Sequence, residues 1–188
     1  MADYSTIANT AQELLRRLTD ALVPELISTR DLIGLCAPDD HGDYTVGIWL
    51  YDIRENNDIQ MHDMISVGQN AQRYPSAYLN MRFMITLFLQ SDLKYRAEQE
   101  QQILGRIIQM LRDQATMAAG EMLTSGEASG PDMRIRMMNL SMEDKIRLWT
   151  VPGTAYRPSL FYEIGPAEIL SGRKKDVKRV RDINYRLG

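Results

Sequence analysis

The stretch from Ala77 to Gln90 constrains the fold of this chain more than any other. Its odd positions, Ala77, Leu79, Met81, Phe83, Ile85, Leu87 and Leu89, are all apolar, while the even positions mix Tyr78, Asn80, Arg82, Met84, Thr86, Phe88 and Gln90. Side chains alternate between faces along an extended chain. This period of two therefore predicts a strand with one face in a core and a half-polar face towards solvent or a partner. Shorter runs agree with it. Thr45 to Ile53 is β-branched and aromatic, with Val46, Ile48 and Leu50 on one face. Arg134 to Leu140 places Ile135 and Met137 inward, and Tyr156 to Ile164 places Leu160, Tyr162 and Ile164 on one face. Pro158 has no N–H to give a ladder and belongs at a strand start or on an edge.

Helical spacing appears in three places. Ile7, Ala11, Leu14, Leu15, Leu18 and Leu22 form one face, with Asp3 as the predicted cap and Pro24 as the stop. Tyr95 to Ala115 carries a stripe of Leu104, Ile107, Ile108, Leu111 and Ala115, with acidic residues near its start and Arg112 near its end, as the helix dipole favours. Ser141 followed by Glu143 and Asp144 is a capping-box signal for a short helix through Trp149. Leu26 to Cys36 reads as extended, and Gly120 to Pro131 as a surface loop. Arg54 to Ser76 has neither period, yet Met61, Met64, Ile65 and Val67 make it too apolar for a spacer, so it reads as a contact loop. Consecutive strands without intervening helices predict an α+β fold: a mainly antiparallel sheet of about four strands, flanked by two long helices and one short helix.

Charge divides the chain in two. Residues 171–188 hold seven basic residues against two acidic ones, a net of +5, which leaves −8 on residues 1–170 from the overall −3. The expected organisation is one domain over 1–170 followed by a basic arm over 171–188. The single cysteine, Cys36, excludes an internal disulfide and a cysteine-cluster metal site. No secretory signal pattern opens the chain and no apolar run approaches the length of a membrane span, so a chain kept in a reducing cytosol is expected. Phosphate-binding glycine loops, nucleophile elbows and zinc-protease helices are absent from the sequence. His41 and His62 lie in different predicted loops, and Asp39, Asp40, His41 and Asp43 lack the spacing of a calcium loop. No catalytic, metal or cofactor site is expected, and the chain reads as a non-enzyme that handles no small-molecule substrate.

Four segments carry a family resemblance: the Pro-led strand Tyr74–Phe88, the Ile-Leu-Gly helix Gln102–Leu111, the Ser-x-Glu-Asp…Leu-Trp segment Leu140–Trp149, and Tyr-Arg-x-Ser-x-x-Tyr at Tyr156–Tyr162. In this order they resemble the N-terminal domain of cap proteins. These are the tail terminators of extracellular contractile injection systems, phage-tail-like particles of the virulence-cassette and antifeeding-prophage type. The resemblance runs to about Ile169 and implies a tail-terminator-like fold. It also implies a six-fold ring that closes the baseplate-distal end of an inner tube and its sheath, with tube and sheath proteins as partners. Under that expectation Met61, Met64, Ile65, Val67, Tyr78 and Phe88 contact the tube or a neighbouring subunit. Lys178, Arg179, Arg181, Ile183, Tyr185 and Leu187 form an arm that docks on the sheath by strand addition, with a C-terminal helix as the competing outcome, since Val177, Val180 and Ile183 also recur at three-residue spacing. The alternative is a nucleic-acid-associated protein whose basic tail neutralises phosphates. Against it stand an acidic body and Tyr185 as the tail's one aromatic residue.

Overall fold

The computed structural model describes residues 4–59, 63–67, 71–90, 92–118, 131–150 and 155–176. Helix α1 (Thr6–Leu22) buries Ala11, Leu14, Leu18 and Leu22, four members of the predicted stripe. It stops at Val23, whose backbone is extended with φ −100° and ψ 135°, because the Pro24 ring disfavours helical backbone in the residue before it. The Asp3 cap lies outside the described residues. A 3-10 turn (Arg30–Leu32) leads into β1 (Ile33–Leu35). There follow β2 (Val46–Glu55), β3 (Ile65–Val67), β4 (Ala71–Arg73), β5 (Ala77–Leu87), α2 (Leu93–Asp113), β6 (Thr116–Met117), β7 (Met133–Met137), α3 (Met142–Leu148), β8 (Ser159–Ile169) and β9 (Lys174–Asp176).

The α+β class and the two long helices with one short one match expectation, but the sheet does not. Six strands form a mixed sheet in the order β1-β2-β5-β8-β7-β6, in which β1 is parallel to β2 and the other pairs are antiparallel. A separate antiparallel sheet has the order β3-β4-β9. The expected count of about four fails because β1, β3, β4, β6 and β9 are two or three residues long. A segment that short completes no hydrophobic period and forms only because a partner strand lies beside it. Residues 54–76 are corrected for the same reason: they hold the end of β2 and the strands β3 and β4 rather than one irregular loop.

Two cores sandwich the large sheet. On one face Leu14 and Leu18 of α1 and Ile103 and Ile107 of α2 pack with Ile48, Met81, Phe83, Ile85, Tyr162 and Ile164. The stripe of α2 is turned slightly from the predicted one. Ile103 and Met110 are buried, Leu104 and Ile108 are partly buried, and Ala115 lies beyond the helix end and is exposed. On the other face Met84, Phe88, Phe161 and Trp149 form a smaller cluster, flanked by Trp49, Tyr51, Met138 and Leu148. This corrects the expectation that Tyr78, Met84 and Phe88 need cover from a partner. Met84 is fully buried, Phe88 is 5% exposed, and Tyr78, also 5% exposed, donates its hydroxyl to Glu168 Oε1 at 3.3 Å. The segment around α3 supplies that cover, with Ser141 Oγ capping the helix by accepting from the Asp144 N–H at 3.1 Å. Met137, expected inward, is 51% exposed at the last position of β7, while Met133 and Ile135 are buried.

Two irregularities flank β5. Between the pairs Leu79↔Ala167 and Met81↔Ile164, β8 inserts Gly165 and Pro166 opposite the single residue Asn80. Such a bulge tolerates a proline, and here it requires a glycine. A Cβ on Gly165 would lie 2.3 Å from Asn80 Oδ1 and 2.9 Å from the Leu79 carbonyl oxygen, which as backbone cannot swing aside. Between Leu50↔Phe83 and Asp52↔Arg82, β2 carries the extra residue Tyr51. Far from both, Arg17 ties α1 to the β6 edge. It donates from Nη1 to the carbonyl oxygens of Gln114 (3.1 Å) and Thr116 (2.9 Å) and from Nε to Glu13 Oε1 (2.7 Å). Hydrogen bonds from Arg16, and secondarily from Arg17, hold the Glu13 carboxyl below its ordinary range against the opposing effect of burial.

Gly165→Ala should destabilise the fold by about 1–3 kcal/mol in chemical denaturation, the usual penalty of overpacking. Gly105→Ala, in α2 with nothing within 4 Å of the added carbon, should instead stabilise it by about 0.5–1 kcal/mol. A second expectation concerns pH. A carboxyl with a lowered folded pKa contributes stability that is full above its ordinary value of about 4.5 and is lost as pH falls through the folded value. Urea midpoints measured from neutral pH downward should therefore fall below that value, and Glu13→Gln should flatten this acid limb while lowering the neutral-pH midpoint.

Candidate assembly interface

Among the described residues, no group of three or more His, Cys, Asp or Glu side chains is placed to hold a metal ion. Asp39, Asp40 and Asp43 are exposed, and the His41 ring stacks on Phe88 with centroids 4.0 Å apart and planes 11° apart. His62 lies outside the described residues. Burial pushes the Cys36 thiol above its ordinary pKa, so it keeps its proton at neutral pH and is a poor nucleophile. Its sulfur sits over Gly47, only 2.7 Å from where a Cβ would be. No described helix is long and apolar enough to cross a membrane.

The expected contact residues separate into three groups. Met64, Ile65 and Val67 lie in or beside β3 and are half-buried, with Ile65 paired to Arg73 and Val67 to Ala71. Tyr78 and Phe88 are buried within the chain. Met61 and the arm residues Lys178, Arg179, Arg181, Ile183, Tyr185 and Leu187 fall outside the described residues. The start of the basic segment forms β9 on β4, pairing Lys174 with Arg73 and Asp176 with Ala71. Arg173 fastens this strand, with its guanidinium 4.3 Å from the Tyr74 ring centroid and its carbonyl accepting from the Tyr74 N–H at 3.2 Å.

A row of alternating charge crosses four strands on the sheet face opposite α1 and α2. Asp52 on β2 faces Arg82 on β5, which faces Glu163 on β8, which faces Arg136 on β7. The successive ion pairs measure 3.3, 3.1 and 2.9 Å. Arg54 joins the row from the β2 side, 2.7 Å from Asp52. The inner members Arg82 and Glu163 are only 19% and 15% exposed. Each acid here lies between two bases or each base between two acids, so burial of the inner charges is compensated on both sides. The Tyr51 bulge makes this possible. In an uninterrupted strand Asp52 would share the core face of Val46, Ile48 and Leu50, and the extra residue turns it to the other. Sequence reasoning misses the row because its members belong to four separated segments. Its one signal is the broken alternation at Leu50-Tyr51-Asp52-Ile53.

Beside the row, the α3 side presents apolar surface. Met142 and Ile146, one helical turn apart, are 55% and 51% exposed, and Met137 is close behind at 51%.

Solved structures place this architecture. The chain is similar to the sheath/tube terminator of an extracellular contractile injection system, PVC, in its extended state, with a TM-score of 0.66 and 14% identity over 97% of this chain and 63% of that one. It is also similar to the tube-terminating cap of the anti-feeding prophage, with a TM-score of 0.62 and 16% identity over 94% of this chain and 60% of that one. At such identities the likeness is one of fold, and the chain spans about three-fifths of the length of both structures. Among curated proteins none matches. The description of the Pvc16 N-terminal domain matches residues 7–182 of the 188, and the chain belongs to that family.

Proposed function

We propose that this chain is a structural terminator that closes the baseplate-distal end of the inner tube and contractile sheath in a phage-tail-like injection particle. The observation that carries the reading is coextension. The family match and the fold of two terminators each cover nearly all of this chain, so no large part of it is left over for another role. The terminator acts as a homo-oligomeric ring, a hexamer to match the tail, and its partners are the inner tube protein and the sheath protein. It assembles in the bacterial cytosol as part of a particle that acts outside the cell. The small sheet β3-β4-β9 is the leading contact with tube or neighbour, because Ile65 and Val67 on its three-residue edge strand, and Met64 just before it, are half-buried apolar residues. That role is mechanical, and a chain performing it needs no nucleophile, metal or cofactor.

Electron microscopy of complete particles should show density for this chain at the tail end away from the baseplate, and its absence there would refute the reading. Changing Met64, Ile65 and Val67 together to serine should leave cooperative unfolding intact, since the three lie outside both main cores. The variant should enter particles at least several-fold less often than the parent. Equal incorporation would remove the small sheet from the contact surface.

A further inference from the structure

The two edges of the large sheet are finished differently. At the β6 edge, the Ala115 carbonyl accepts from Ile135 N–H on β7, so the carbonyls of Gln114 and Thr116 turn outward. Arg17 donates to both, and its side chain is 7% exposed. The acceptors another strand would need are thus occupied. At the β1 edge, Thr45 N–H donates to the Leu32 carbonyl and Cys36 N–H to the Ile48 carbonyl, which turns the main chain of positions 32, 34 and 36 towards β2. The Ile33 N–H closes the 3-10 turn on the Arg30 carbonyl, which leaves the Ile33 C=O and the N–H and C=O of Leu35 pointing away from the sheet. Among the described residues no strand pairs on that side, and the Leu35 residue is 39% exposed. An open edge is a template for another strand, and a chain that blocks one edge while leaving the other open has an asymmetric means of association. Around the open edge the exposed charges are acidic: Asp31 before β1, and Asp39, Asp40 and Asp43 after it. The adjacent Arg30 is paired with Asp20 at 3.6 Å.

We propose that the β1 edge accepts residues 177–188 of a second copy of this chain as an added strand. That segment has Lys178, Arg179, Arg181 and Arg186 against Asp182, and Ile183, Tyr185 and Leu187 alternate at the period of a strand. Main-chain bonds supply the attachment, and charge complementarity with the four aspartates selects the segment. The chain's own tail is badly placed for the role. Asp176 pairs with Ala71, the end of β4 farther from β5, whereas β1 lies beside Val46, which pairs with Leu87 at the opposite end of β5. The eleven residues of β5 span about 35 Å. Seven residues from Asp176 to Ile183 reach about 25 Å fully extended. A second copy has no such limit. Tail-to-edge exchange is heterologous and propagates one way round, the type of contact that closes into rings. The inference goes beyond the terminator reading and stands or falls separately from it.

The test uses full-length protein with Cys36→Ser in every version and two affinity tags. One tagged population carries Leu35→Cys and the other Tyr185→Cys or Ile183→Cys. After mixing and mild oxidation, disulfides should join differently tagged chains at about ten times the yield obtained with Tyr4→Cys, a collision control at an 89% exposed site. Added salt, or Asp39→Asn with Asp40→Asn and Asp43→Asn on the exposed loop, should lower that yield several-fold. A yield no higher than the control overturns the proposal, and so does a version carrying both Leu35→Cys and Tyr185→Cys that forms disulfides only within single chains. So does a particle in which Leu35→Cys joins sheath protein instead of a second copy. Loss of cross-linking with normal capping would sink strand exchange alone, and cross-linking without capping would sink the terminator reading alone.

Discussion

Pairing of β5 with β8 sets the rest of the molecule in place, because this antiparallel pair runs through the middle of the sheet and is covered on both faces. Phe83 and Ile85 with Tyr162 and Leu160 meet α1 and α2, while Met84 with Phe161 meets the segment of α3. A one-residue slip would exchange the two faces, putting Arg82 and Glu163 into the larger core. The register is therefore fixed by two cores at once rather than by turn geometry. Both bulges lie on the strands that flank β5, Tyr51 on β2 and Gly165-Pro166 on β8, so β5 itself keeps an unbroken alternation.

That regularity explains what could be read from the residues alone. The long strands and all three helices are visible because each repeats its pattern several times within one segment. Ser141 announces α3 through a capping bond that needs no distant partner. β1, β3, β4, β6 and β9 escape because they owe their form to neighbours remote in sequence, as Lys174 does to Arg73. Tyr78 and Phe88 read as large groups on a half-polar face, and the cover they require comes from Glu168, Phe161 and Trp149 in the last third of the chain. The charge row is hidden by the same rule. Opposite charges are visible one by one, and their adjacency exists only once four strands are in register.

The resemblance and the fold converge on a protein made of surfaces. Its buried apolar residues are distributed over two cores, and of its exposed ones Met142 and Ile146 lie on α3 while Leu35 lies on the β1 edge. A terminator must hold the last layer of a periodic assembly without presenting that layer's own continuation. A sheet with one edge sealed by a buried arginine and the other left open has that kind of directionality built into its backbone.

The charge row has a consequence for how such a chain can diverge. Asp52, Arg82, Glu163 and Arg136 neutralise one another sideways, and the inner two are largely shielded from water. Replacing Arg82 alone would leave two carboxylates facing each other across a strand, and replacing Glu163 alone would do the same to two guanidinium groups. Change can pass through these positions only in compensated steps, by reversal of the whole row or by its simultaneous conversion to neutral groups. The four residues thus behave as a single hereditary character spread over four strands, and aligned members of the family should exchange them in concert even where the surrounding sequence drifts freely.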